Sequence, residues 1–110
     1  MAEPDYHLQL RSDRVALSGS MRLLTLTEYR QILEPLYQIL DDQDSVVLDI
    51  HALQDLNSTG ITALAQFILV AKTKQIPVTV ILGANIPWQV NTIPSLAKLY
   101  DGLSQQILGS

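Results

Sequence analysis

The 110-residue sequence contains no cysteine. That absence removes disulfide frameworks, thiol nucleophiles and thiolate metal sites together. A small domain without such staples relies on packing, which suits a reducing compartment. Positive charge is also scarce: seven Lys and Arg stand against eleven Asp and Glu, for a formal net charge of −4. The basic residues are scattered along the chain, whereas a nucleic-acid module clusters them on one surface, so no nucleic-acid partner is expected. Long hydrophobic runs are missing too. The most apolar stretch, residues 61–71, is interrupted by Gln66 and falls far short of the roughly 20 residues that span a bilayer. Residues 1–6 are acidic and polar, unlike a secretory signal, and read as a flexible tail. A cytoplasmic protein away from the membrane is the expectation. No P-loop or dinucleotide fingerprint is present, so no cofactor is expected. His7 and His51 are far apart with no ligand pattern around them, which argues against a metal site.

What is present is enough apolar material for one core. At 47% apolar residues the chain reads as a single domain over residues 1–110. Leu8, Leu10, Val15 and Leu17 alternate with polar residues on either side of Arg11-Ser12-Asp13-Arg14. That pattern predicts an antiparallel hairpin with these four side chains inward and Gly19 at its end. Thr25 and Glu28 have capping-box spacing. Tyr29, Ile32, Leu33, Leu36, Ile39 and Leu40 then recur at helical intervals. Pro35 inside that pattern predicts a kink or a split, and the acidic residues 41–44 predict a loop. The β-branched run at 45–50 and a second at 78–82 read as strands buried on both faces. A helix from about Ser58 to Lys74 lies between them. Strand, helix and strand make a right-handed βαβ unit with parallel strands. Residues 83–88 read as a loop. A last helix is clearest from Pro94 to Tyr100, with Pro94 in its first turn and Gly102 past its end. Residues 105–108 suggest an edge strand. The architecture expected is α/β, a mixed sheet of four to five strands with helices packed mainly on one face.

Asp55-Leu56-Asn57-Ser58-Thr59-Gly60-Ile61 connects the buried strand to the central helix. Asn57 suits the N-cap, because its side-chain oxygen can accept a first-turn N–H. Ser58, Thr59 and Gly60 then open the helix, where free N–H groups and the positive end of the dipole favour an anion. A phosphoryl group on Ser58 would add about −1.5 to −2 charges there. Such a group would change recognition with little effect on folding. The same residue types also begin ordinary helices, so residue chemistry leaves the structural and functional readings both open.

The run Val46-Val47-Leu48-Asp49-Ile50, followed after a short connection by Leu56-Asn57-Ser58-Thr59-Gly60-Ile61 and an apolar helix, resembles the STAS domain. This is the family of bacterial anti-sigma-factor antagonists and of the cytoplasmic domains of sulfate transporters. The resemblance covers most of the chain, and its most specific part is the motif from Asn57 to Gly60. It implies a STAS-like fold and a protein partner, a serine kinase that doubles as an anti-sigma factor, with a matching phosphatase. It also implies a role in partner switching and transcription regulation, with Ser58 as phosphoacceptor and Thr59 as second choice. Asp55, Asn57, Thr59 and Gly60 would form the capped switch loop. The family's usual aspartate before the serine is Asn57 here. That residue keeps the cap and loses a carboxylate.

On the central helix, Ile61, Leu64, Ala65, Ile68 and Leu69 are expected to face the sheet, leaving Ala63, Phe67 and Val70 on the flank. Either neighbouring helices cover those three, or a partner or a second copy of the chain in a homodimer does. Trp88, in a loop at the same sheet edge as Ser58, would either anchor a partner or fold back over the core. A serine hydrolase would need an elbow such as G-x-S-x-G with His51, at the strand end, near Ser58. The sequence there does not match, and no enzyme is expected. The alternative to a phosphorylation switch is a STAS-type scaffold or a small-ligand-sensing interaction module that is never phosphorylated.

Overall fold

The computed structural model describes residues 5–109. Strands β1 (Tyr6–Leu10) and β2 (Val15–Met21) form the hairpin, with Leu10 opposite Val15 and the Arg11 N–H donating to the Arg14 carbonyl at 2.8 Å. Leu10, expected inward, is exposed at the end of β1. Gly19 does not end β2. It adopts φ +88°, open to glycine because no Cβ is present, at a register shift against the next strand. A Cβ there would stand 2.1 Å from the Asp5 carbonyl oxygen. The strand passes through this bulge and continues to Met21. Of the tail expected over residues 1–6, Asp5 and Tyr6 are part of the fold. Tyr6 opens β1 and the Asp5 carbonyl accepts the Ser20 N–H at 2.8 Å, while residues 1–4 lie outside the described residues.

Thr25 caps α1 (Leu26–Ile32), its hydroxyl accepting the Glu28 N–H at 3.1 Å. The break at Pro35 is a split: Leu33 ends α1, and α2 (Glu34–Asp42) begins with Pro35 in its first turn. Against the expectation of a loop there, Asp41 and Asp42 complete α2. An ion pair at 2.8 Å from Lys74 to Asp41 offsets the poor fit of an acid to a helix C-terminus.

Strand β3 (Val46–Leu56) runs well past the β-branched segment. Its parallel neighbour β2 follows it to the end, Met21 beside Leu56. On the other side β4 (Val78–Gly83) pairs with it only as far as Asp49 beside Ile81. The freed edge of β3 is covered by α4 (Pro87–Ala97), which starts earlier than expected and has Pro94 inside it. Pro87 is tolerated in the first turn, where its missing N–H costs no helical bond. Starting there inserts Gln89, fully buried, against the sheet. Its Oε1 accepts the Gly83 N–H at 2.7 Å, and its Nε2 donates to the carbonyls of Ile50 and Leu53 at 2.6 and 2.8 Å. Strand β5 (Leu103–Leu108) adds a parallel edge beside β4.

The result is one α/β domain with a five-stranded mixed sheet in the order β1-β2-β3-β4-β5, antiparallel only in the first pair. Between β3 and β4 runs α3 (Ser58–Lys74). Its buried face is Gly60, Ala63, Leu64, Phe67, Ile68 and Ala71. Leu69, expected against the sheet, is 44% exposed. The helix is turned so that Phe67 meets Tyr37 of α2 edge-on, ring centroids 5.4 Å apart. The helices and the apolar side of the sheet share one core, and the opposite face of the sheet stays open.

Candidate functional site

Parallel strands β2 and β3 end side by side, and the chain turns from Leu56 into α3 at that edge. Asn57 has extended backbone and caps the helix, its Oδ1 accepting the Gly60 N–H at 2.9 Å. The same oxygen lies 2.6 Å from the Tyr29 hydroxyl, which reaches it from α1. Nδ2 of Asn57 donates to the Leu23 carbonyl at 2.9 Å, and the Leu23 N–H donates to the Tyr29 hydroxyl at 3.3 Å. Burial raises the Tyr29 pKa, opposed by the hydrogen bond from the Leu23 backbone and supported by the negative charge of Asp55. The phenol therefore stays a donor at neutral pH. These bonds use both ends of the Asn57 amide. An aspartate in its place would set a second acceptor against the Leu23 carbonyl, which gives a structural reason for asparagine at this position.

Gly60 is buried where α3 crosses α1. A Cβ there would lie 2.3 Å from Leu56 Cδ1 and 2.8 Å from Tyr29 Cζ. Asn57 and Gly60 are thus fixed by packing. Ser58 between them is exposed, and Thr59 is half-buried. The first turn of this helix holds no acidic residue, while Lys72 and Lys74 sit in its last turn. The positive end of the dipole therefore has no side-chain anion to complement it.

Asp55 belongs to β3 and not to the connecting loop. Its carboxylate pairs with Arg22, and the Ser20 hydroxyl lies 3.4 Å away. It is engaged across the strand pair, so nothing places it as a substitute for the carboxylate that Asn57 lacks. Ala63 and Phe67 are buried in the core and offer no surface to a partner. Val70 remains half-buried beside the exposed Leu69, on a shallow groove with Tyr37. Trp88 is not in a loop. It stands in the first turn of α4, half-buried, with its Nε1 donating to the Leu53 carbonyl at 3.0 Å. His51 lies in the interior of β3, hydrogen-bonded to Asp49, and not at a strand end. Leu24, which the periodicity does not single out, is 86% exposed. Its neighbour Leu23 is bonded through both N–H and carbonyl to the network around Asn57. A large apolar side chain is therefore exposed one residue from the backbone that bonds Asn57.

No protein-family model matches the chain, and no curated protein matches it. A match does exist among solved structures: the crystal structure of the diguanylate cyclase SiaD in complex with its activator SiaC from Pseudomonas aeruginosa. The superposition has a TM-score of 0.72 at 15% identity, over 94% of this chain and 90% of that one. The chain is similar in fold to SiaC. At such identity the likeness speaks for architecture: the five-stranded mixed sheet, the N-terminal hairpin and the helical layer. SiaC itself binds a protein, the cyclase that it activates. No helix of this chain, among the described residues, is long and apolar enough to cross a membrane.

Proposed function

We propose that the chain is a STAS-type regulatory module without catalysis of its own, which binds a protein partner through the edge around Ser58 and is switched by phosphorylation of that residue. The observation that carries this reading is the division of labour in the motif. Asn57 and Gly60 are locked into the fold, while Ser58 is exposed at the start of a helix whose first turn has no acid. A phosphoryl group there meets backbone donors and the helix dipole, so the fold tolerates it. What it alters is the charge presented to a partner. The fold shared with SiaC, an activator found in complex with its cyclase, supports a protein as the partner. The resemblance to anti-sigma-factor antagonists points to a serine kinase that is itself the bound regulator, with a phosphatase to reset the switch.

The test is binding of the wild type, Ser58→Ala and Ser58→Asp to the partner kinase, followed by calorimetry. Ser58→Ala is expected to bind like wild type and Ser58→Asp about tenfold more weakly or worse, a loss of about 1.4 kcal/mol. Equal affinity for all three overturns the switch. It would favour the second reading, a constitutively bound scaffold, which the full use of the Asn57 amide in architecture also supports.

A further inference from the structure

The sheet face away from the helices carries a second constellation, distant in role from the Ser58 edge. Strand register places Gln9, Ala16, Asp49, Ile81 and Gln106 in one row across all five strands. Asp49 is only 5% exposed despite lying on this open face. Its Oδ1 is 2.5 Å from His51 Nδ1 and accepts the His51 N–H at 3.1 Å, while its Oδ2 accepts from Arg14 Nη1 at 3.2 Å. Residues two apart on a strand share a face, which is why Asp49 and His51 meet. Above them lies a groove of about 540 Å³, bordered by Gln9, Arg11, Asp13, Arg14, Ser18 and His51, with Ala16 leaving room at its floor.

A count of donors and acceptors identifies the missing partner. Both acids here are already served: Asp13 by Nε and Nη2 of Arg14, Asp49 by His51 and Nη1 of Arg14. Arg11 spends one of its N–H groups on the Gln9 side-chain oxygen, and a guanidinium has five. The Gln9 amide N–H groups and the Ser18 hydroxyl add further donors along the same wall. With Nδ1 of His51 turned to Asp49, its Nε2 faces away from the carboxylate, as a lone pair on the neutral ring and as a donor only on the protonated one, so the donor count rests on Arg11, Gln9 and Ser18. A groove with satisfied acceptors and surplus donors fits an acceptor-rich ligand. Guanidinium groups bind carboxylate and phosphate oxygens with two parallel hydrogen bonds. We infer that the open face of the sheet binds a small anion, a carboxylate or a phosphate, held by Arg11 with Gln9 and Ser18 over the floor made by Ala16.

The experiment is a titration of the ¹⁵N-labelled full chain with inorganic phosphate and, separately, with succinate, followed by amide shifts at constant ionic strength. Saturable shifts are expected at Gln9, Arg11, Ser18 and His51 with at least one of the two anions, and the one that saturates identifies the ligand chemistry. Arg11→Gln, which changes an exposed side chain, is expected to weaken binding about fivefold or more. Ala16→Leu fills the groove without removing a polar group and is expected to abolish the shifts while the rest of the spectrum stays folded. Arg22→Gln, at the Ser58 edge, serves as the control and should leave the titration unchanged. Linear, non-saturating shifts with both anions would overturn the site, as would equal losses in Arg11→Gln and Arg22→Gln.

Discussion

Two polar networks grow from β3, one on the open sheet face around Asp49 and one just past its end around Asn57, and they are built from opposite materials. The Asn57 network has no formal charge. An amide, a phenol and backbone groups match donor to acceptor, so it holds the start of α3 against α1 with no ion to desolvate. The Asp49 network joins a buried carboxylate to Arg14 and His51, and Arg11 beside it keeps donors in hand. A neutral, saturated lock gives rigidity and ignores pH and salt. A charged, unsaturated cluster ties stability to pH and leaves capacity for a ligand. Under the proposed switch, a charge added at Ser58 would cost the fold little, because its neighbours are fastened by bonds that no added charge needs to break.

Breaking the neutral lock should cost most. In Gly60→Val the branched side chain has to occupy space taken by Leu56 and Tyr29. Overpacking of this kind costs about 2–3 kcal/mol, read as a lower urea midpoint with unchanged slope. Asn57→Asp is the gentler probe. The cap acceptor survives and a carboxylate suits the helix N-terminus, but the Nδ2 bond to the Leu23 carbonyl becomes a contact between two oxygens. The balance is a loss of about 1–2 kcal/mol. No loss would mean that the asparagine is there for a reason outside this network.

Local signals made the first network readable and hid the second. A cap residue, a serine and a glycine between a strand and a helix are chain neighbours, so the helix start at Ser58 follows from sequence order alone. Tyr29 and Leu23, which complete the lock, arrive from elsewhere in the chain, and a periodic pattern marks Tyr29 only as core. The Asp49–His51 pair did leave a trace, because residues i and i+2 on a strand face the same way. Arg14, however, reaches Asp49 only through the β2–β3 register. Gln89 gave no signal at all, since a lone glutamine before an apparent helix start looks like loop. That reading followed from Pro94, which resembles a first-turn proline until Pro87 is seen to hold that position. For Ala63 and Phe67 the sequence left two covers open, neighbouring helices or a partner, and the helices supply it. Which flank of α3 is covered depends on where α2 packs, and Pro35 sets that by splitting the preceding helix.

The smallest effect tests the charged half of the comparison. Burial alone would raise the Asp49 pKa, but hydrogen bonds from the His51 side chain and backbone and from Arg14 outweigh it and hold the carboxyl below its ordinary value. A carboxylate with a lowered folded-state pKa stabilises the fold at any pH above its unfolded value of about 3.9. That contribution disappears as pH falls through the folded value. Asp49→Asn keeps the shape and removes the charge. It should therefore destabilise the protein by about 1 kcal/mol at neutral pH, with Arg14 free to turn partly to water. The gap to wild type, present at neutral pH, should close below about pH 4, where the wild-type carboxyl takes up its proton. Denaturation midpoints of the two proteins across that range provide the measurement. A gap that persisted or widened in acid would show that the Asp49 charge adds nothing to stability, and the two networks would then differ in geometry alone.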